Sequence, residues 1–203
     1  MLIIALILNM LLVVCQCYAL GHIRGKRNIL KYYTYLQNLL SLTVSVLFSL
    51  CVSFCLISCS SIPEFIKGLR YVAACGLLAA MFIFLVFLGA GKKAPMTEED
   101  FLPGISPQGA NFLLHYLCPA VSFVSFVIFE RDIPVSQGIW TGLAAIPSCG
   151  YWVVYLILSA AKLWKEPYDF SAPEEKSGFL QVLQFLLIPL SFMGISFLLW
   201  NMQ

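Results

Sequence analysis

Six stretches of this chain contain no Asp, Glu, Lys or Arg and are each long enough to cross a lipid bilayer: Leu2–Leu20, Tyr33–Ile57, Val72–Ala90, Phe112–Phe129, Ile139–Ala161 and Phe179–Trp200. A membrane span needs about 20 mostly apolar residues. A charged side chain at its centre costs about 2.5–3.5 kcal/mol on insertion scales. The charges of this chain fall between the stretches, where that cost vanishes. Composition points the same way. Of 203 residues, 61% are hydrophobic and 11% charged, whereas a soluble domain is roughly one quarter charged. The expected fold is therefore an all-α integral membrane bundle of about six transmembrane helices, forming one domain over residues 1–203.

The first stretch differs from a signal peptide. It has no basic segment before it and no A-x-A-like cleavage site, and its basic residues follow it. It reads as a retained helix. Sidedness comes from the Lys and Arg counts. Loops one, three and five carry nine (Arg24, Lys26, Arg27, Lys31; Lys92, Lys93; Lys162, Lys165, Lys176). Loops two and four carry three, namely Lys67, Arg70 and Arg131. The positive-inside rule places the richer set in the cytoplasm and both termini outside. The expected location is the plasma (inner) membrane of a bacterium.

Other function classes find little footing. A net charge of +2 gives no basic face for nucleic acid. The eight cysteines lie in or beside apolar stretches with no CxxC or Cys/His metal spacing. Cys51, Cys55 and Cys59 recur every four residues, which suits a packing stripe on one helix face. No metal or organic cofactor is implied. A transporter usually carries a charged residue at mid-membrane, and none of the six stretches has one.

Three polar clusters share one end of this topology. Span two opens with Lys31-Tyr32-Tyr33-Thr34-Tyr35-Leu36-Gln37-Asn38, and Thr34 and Asn38, four apart, share a helix face. Span four opens with Asn111-Phe112-Leu113-Leu114-His115-Tyr116-Leu117-Cys118-Pro119. There Asn111 and His115 are again four apart. Loop five carries Glu166-Pro167-Tyr168-Asp169-Phe170. Within this set His115 is the one ionisable imidazole inside a span, which marks it as a functional candidate. Pro119 cannot donate to the carbonyl four residues back, so the helix should open beside His115. Two readings stay open on the residues alone: a catalytic Thr–His pair, or helices tied together by hydrogen bonds. Tyr32, Tyr33, Tyr35, Trp164 and Tyr168 suit an interfacial aromatic belt.

These clusters resemble motifs of the androgen-induced-gene and androgen-dependent TFPI-regulating protein family, and more so those of its bacterial six-transmembrane relatives. Lys31 to Asn38 is similar to the family's "K-(F/Y)-x-T" and the bacterial "(Y/F)-F-T-x-x-(S/T)-N" openings. Asn111 to Pro119 resembles "L-L-H-x-x-x-P". Pro147-Ser148-Cys149-Gly150-Tyr151 with Glu166 to Phe170 resembles "P-x-x-x-Y … Y-P-Y-P-F", with Asp169 in place of the second proline. Gln37 stands where small residues are usual. The resemblance runs from about Lys31 to Phe170. It implies a multi-pass hydrolase of fatty acid esters of hydroxy fatty acids, with Thr34 as nucleophile and His115 as base. Asn38, Asn111 and Tyr168 are the candidates for oxyanion or supporting roles. The implied partner is a membrane lipid or acyl-chain ligand. The other class is a non-enzymatic membrane protein that binds a lipid or small molecule, or serves as a scaffold.

Overall fold

In the computed structural model the chain is all-helical, with no strand among the described residues, which are 1–23, 32–85, 107–131, 135, 138–163 and 178–202. Among the described residues six helices follow in order. They are α1 (Leu2–Ile23), α2 (Tyr33–Ser58), α3 (Glu64–Ile83), a composite α4 over 107–129, α5 (Ile139–Ala160) and α6 (Gly178–Asn201). Five are long and apolar enough to cross a membrane over their described residues, and the Leu187–Asn201 part of α6 is apolar too.

Burial is inverted relative to a soluble protein. Ile3, Ile7, Leu50, Phe54, Val153, Ile157, Phe197 and Leu198 are exposed, while Asn9, Gln16, Asn38, Ser45 and Arg70 are buried. Such an exterior suits hydrocarbon, and such an interior suits polar groups that must find partners away from lipid.

The helices interlock in a consistent up-and-down sense. Ala19 of α1 packs with Ala110 and Leu114 of α4 at one end. Leu2 and Leu6 of α1 pack with Phe48, Val52 and Cys55 of α2 at the other. Helices α1, α2, α3 and α4 each touch the next, and α4 closes back on α1. They form a four-helix ring, and α5 and α6 pack against the outer side of α3. Gly68 permits that contact, because a Cβ there would overlap the Trp140 indole.

Two boundaries differ from the sequence expectation in ways that matter. Helix α3 begins at Glu64 rather than Val72, eight residues earlier, so Arg70 lies inside it. Pro63 precedes the first turn, Glu64 favours the helix N-terminus, and Lys67 pairs with Glu64 at 3.6 Å. The described part of α3 continues through Phe84 and Leu85; the expected end at Ala90 lies outside the described residues. Helix α4 begins at Pro107 rather than Phe112. His115 is thus eight residues from the helix start, about 12 Å along the axis, instead of one shallow turn.

Helix α4 is opened twice. Its segments are Pro107–Phe112, a π turn at Leu113–Leu117, Cys118–Val124 and a second π turn at Ser125–Phe129. The first carries His115 and precedes Pro119, as a missing proline donor would lead one to expect.

Candidate functional site

The end of the bundle that receives the starts of α2 and α4 holds Thr34, Asn38 and His115. Asn38 is its organising group. Its Nδ2 donates to the Thr34 carbonyl at 2.9 Å and to the Leu114 carbonyl at 3.2 Å. Its Oδ1 accepts from Gln16 Nε2 of α1 at 3.2 Å. One fully buried amide therefore joins three helices. The bond to Leu114 has a local cause. In the first π turn the Cys118 N–H bonds the carbonyl five back, Leu113. The next donor in that register would be Pro119, which has none, so the Leu114 carbonyl is left for Asn38. The π register thus leaves the Leu114 carbonyl without a backbone donor at Pro119, beside the His115 carbonyl that the sequence pattern singled out.

Thr34 is 5% exposed. His115 is partly buried, stacks on Phe84 of α3 with ring centroids 4.0 Å apart, and has a buried Nδ1 with no hydrogen-bond partner among the described residues. Thr34 and His115 share no hydrogen bond among the described residues. Asn38 brings their two turns to either side of one amide nitrogen. Both its N–H groups are committed, so as it stands it offers an oxyanion no donor. Asn111 is exposed. Tyr168, with Glu166, Asp169 and Trp164, lies outside the described residues. Tyr33 is not a belt residue: it is 2% exposed, packs with Trp152, Tyr155 and Phe192, and pairs with Ser148 Oγ at 2.5 Å.

The opposite end of the ring carries a second polar cluster, and sequence reasoning missed it. Arg70 is 1% exposed and Glu130 4%. The guanidinium reaches Glu130 Oε1 from Nε at 3.2 Å and from Nη2 at 3.1 Å. It also donates to Ser122 Oγ at 2.9 Å and to the Ser122 carbonyl at 3.1 Å. The same Glu130 oxygen accepts from Ser125 Oγ at 2.6 Å and from Asn9 Nδ2 at 3.1 Å. The second π turn aims this carboxylate: the Glu130 N–H bonds the Ser125 carbonyl five back, and the chain turns inward there. Helices α1, α3 and α4 are joined here as α1, α2 and α4 are joined at the other end.

Hydropathy hides this cluster, because Arg70 and Glu130 each lie at the edge of an apolar stretch, where a charge marks the end of a span. Its signal was the polar spacing inside the spans. Asn9 and Gln16 are seven apart on one face of α1, and Ser122 and Ser125 are three apart on α4. Among the described residues no group of three or more His, Cys, Asp and Glu has metal-binding geometry.

Comparison of the chain with protein-family models, with curated proteins and with solved structures gives no match in any of the three.

Proposed function

We propose that this multi-pass membrane protein is a hydrolase of amphiphilic lipid esters, of the fatty acid ester of hydroxy fatty acid type, with Thr34 as nucleophile and His115 as base. The motif resemblance suggests the chemistry. The observation that best supports it is the Asn38 amide, which holds the Thr34 turn and the His115 turn together. His115 Nδ1 has no hydrogen-bond partner among the described residues, as suits a base awaiting a hydroxyl.

In this reading Thr34 Oγ attacks the ester carbonyl carbon while the imidazole takes its proton. The tetrahedral intermediate expels the alcohol, which leaves with the proton from His115. The acyl group then sits on Thr34 until water, deprotonated by the same imidazole, releases the acid. Asn38 acts as a positioning residue. Phe84 covers the ring and must move aside for an acyl chain to enter between the helices.

A second reading has its own observation. The saturated bonding of Asn38 and the stacking of His115 on Phe84 equally suit a non-enzymatic lipid-binding protein or scaffold. A fluorophosphonate probe on the purified protein in lipid nanodiscs separates the two. The hydrolase reading expects labelling in the wild type and in Thr34→Ser, and none in Thr34→Ala. Labelling that persists in Thr34→Ala, or that never occurs, removes Thr34 from the role.

The proposed location is a bacterial plasma membrane with loops one, three and five in the cytoplasm. Burial of Arg70 takes it out of the exposed count for loops two and four, leaving Lys67 and Arg131, so the charge asymmetry is steeper than the sequence alone implied.

A further inference from the structure

The interior of the α1–α4 ring holds more polar atoms than it has partners for. Among the described residues, Asn9 Oδ1, Gln16 Oε1 and Gln37 Oε1 are buried without a hydrogen-bond partner, and so are the hydroxyls of Ser41, Ser45 and Ser49. All six residues are less than 5% exposed. The serines recur every four residues along the inward side of α2. Exposed hydroxyls of the same helix behave differently. Thr43 Oγ1 bonds the Leu39 carbonyl at 3.0 Å, and Ser58 Oγ bonds the Phe54 carbonyl at 2.9 Å. That route is closed to the three amide oxygens. They are acceptors, and a helix interior offers side chains only carbonyls, because its N–H groups are already used. Each needs a donor from outside the helices. Leaving a buried polar group unsatisfied costs about 1–3 kcal/mol, and internal water is the usual remedy.

The three amides are spread along the axis rather than gathered at a mouth. Gln37 lies near the start of α2 against Gly76, where a Cβ would collide with its amide. Gln16 hangs from the Asn38 bridge. Asn9 is bound to Glu130. We propose that the ring interior is a hydrated column, in which internal water donates to Asn9, Gln16 and Gln37 along the serine face of α2. The column runs from the Asn38 bridge at one end to the Glu130 carboxylate at the other. Its occupant is water, held by acceptors on two helices, and its existence does not depend on the hydrolase reading.

X-ray radiolysis of the wild-type protein in nanodiscs, read by mass spectrometry, tests this, since hydroxyl radicals formed from bound water mark the side chains beside it. Leu12 lies on the Asn9 and Gln16 face of α1, and Leu77 lies two turns beyond Arg70 on α3. Both are 1% exposed or less. Ile188 and Leu199 are as deeply buried, but they lie on α6, outside the ring, in apolar clusters that α6 forms with α3 and α5. The column requires Leu12 and Leu77 to be oxidised at least about fivefold faster than Ile188 and Leu199. It also requires Gln16→Met, which keeps the shape and removes the amide, to bring Leu12 down towards the controls. Protection of Leu12 and Leu77 equal to that of the controls overturns the proposal. So does oxidation of Leu12 that Gln16→Met leaves unchanged. Hydrolase activity plays no part in the readout.

Discussion

Arg70 and Glu130 form an ion pair at 3.1 Å inside a bundle whose exterior is apolar. The pair joins α3 to the end of α4, and Asn9 and Ser125 complete the shell of Glu130. About 9 Å of helix separates Arg70 from the start of α3. The guanidinium therefore reaches its carboxylate within the bundle rather than in the loop solvent.

This arrangement makes single and double substitutions diverge. Arg70→Met leaves a buried carboxylate, and Glu130→Gln leaves a buried guanidinium. Each should destabilise the protein by about 3–5 kcal/mol, as breaking one side of a buried pair does. Arg70→Met with Glu130→Gln removes both charges and should lose far less than the sum of the singles. Thermal unfolding of the four proteins in one detergent gives the cycle. Additive losses would mean that the two side chains do not interact.

Asn38 invites a different comparison. Asn38→Leu removes three hydrogen bonds and leaves the Leu114 carbonyl and Gln16 Nε2 without partners. Interhelical hydrogen bonds in membranes average about 0.6 kcal/mol with a maximum near 1.7. The loss should therefore be about 1–3 kcal/mol in the same unfolding assay. Pro119→Ala supplies an N–H able to bond the Leu114 carbonyl in the π register, so the effect of Asn38→Leu should shrink in that background. An equal effect in both would detach Asn38 from the π turn.

Much of the architecture was legible because hydrophobic length is a nearly direct signal of a membrane helix. The ends of α2, α5 and α6 lie within a residue of where the apolar runs stop. The start of α3 was not legible for the reason that made the rest easy. By hydropathy a charge marks a stop, yet Arg70 is neutralised by a residue 60 positions away, and no local pattern encodes that. The site was half legible. The starts of α2 and α4 come together at one end of the bundle, where Asn38 bonds the Thr34 and Leu114 carbonyls, because antiparallel connectivity puts them side by side. The partner of Asn38 was not foreseeable, since it depends on a π register that changes which carbonyl Pro119 leaves free. Glu130 is the mirror case: a terminal residue by hydropathy, drawn inward by a π turn.

Gly68 offers a packing test unconnected with either polar cluster. Its α-carbon faces the Trp140 ring with no room for a Cβ. Gly68→Val should push α5 from α3 or force the indole aside, costing about 1–3 kcal/mol as overpacking typically does. A second substitution, Trp140→Leu, frees that space and should recover part of the loss. Failure of Trp140→Leu to relieve Gly68→Val would show that the two helices do not approach as closely as described.

Cys59 reports the orientation of the whole bundle. It ends α2 in a left-handed conformation (φ 52°), is exposed, and lies at the face carrying loops two and four. Cys55, one turn earlier, is buried, with its Sγ 3.6 Å from the Ser61 carbonyl. Cys17 is exposed too, but on the flank of an apolar helix where a charged reagent has no access. With loops one, three and five in the cytoplasm, a membrane-impermeant maleimide should label Cys59 on intact cells, and Cys59→Ser should abolish that signal. If labelling appears only after the cells are permeabilised, the nine Lys and Arg of the other face lie outside. The catalytic proposal would then have its lipid ester drawn from the outer leaflet instead of the inner one.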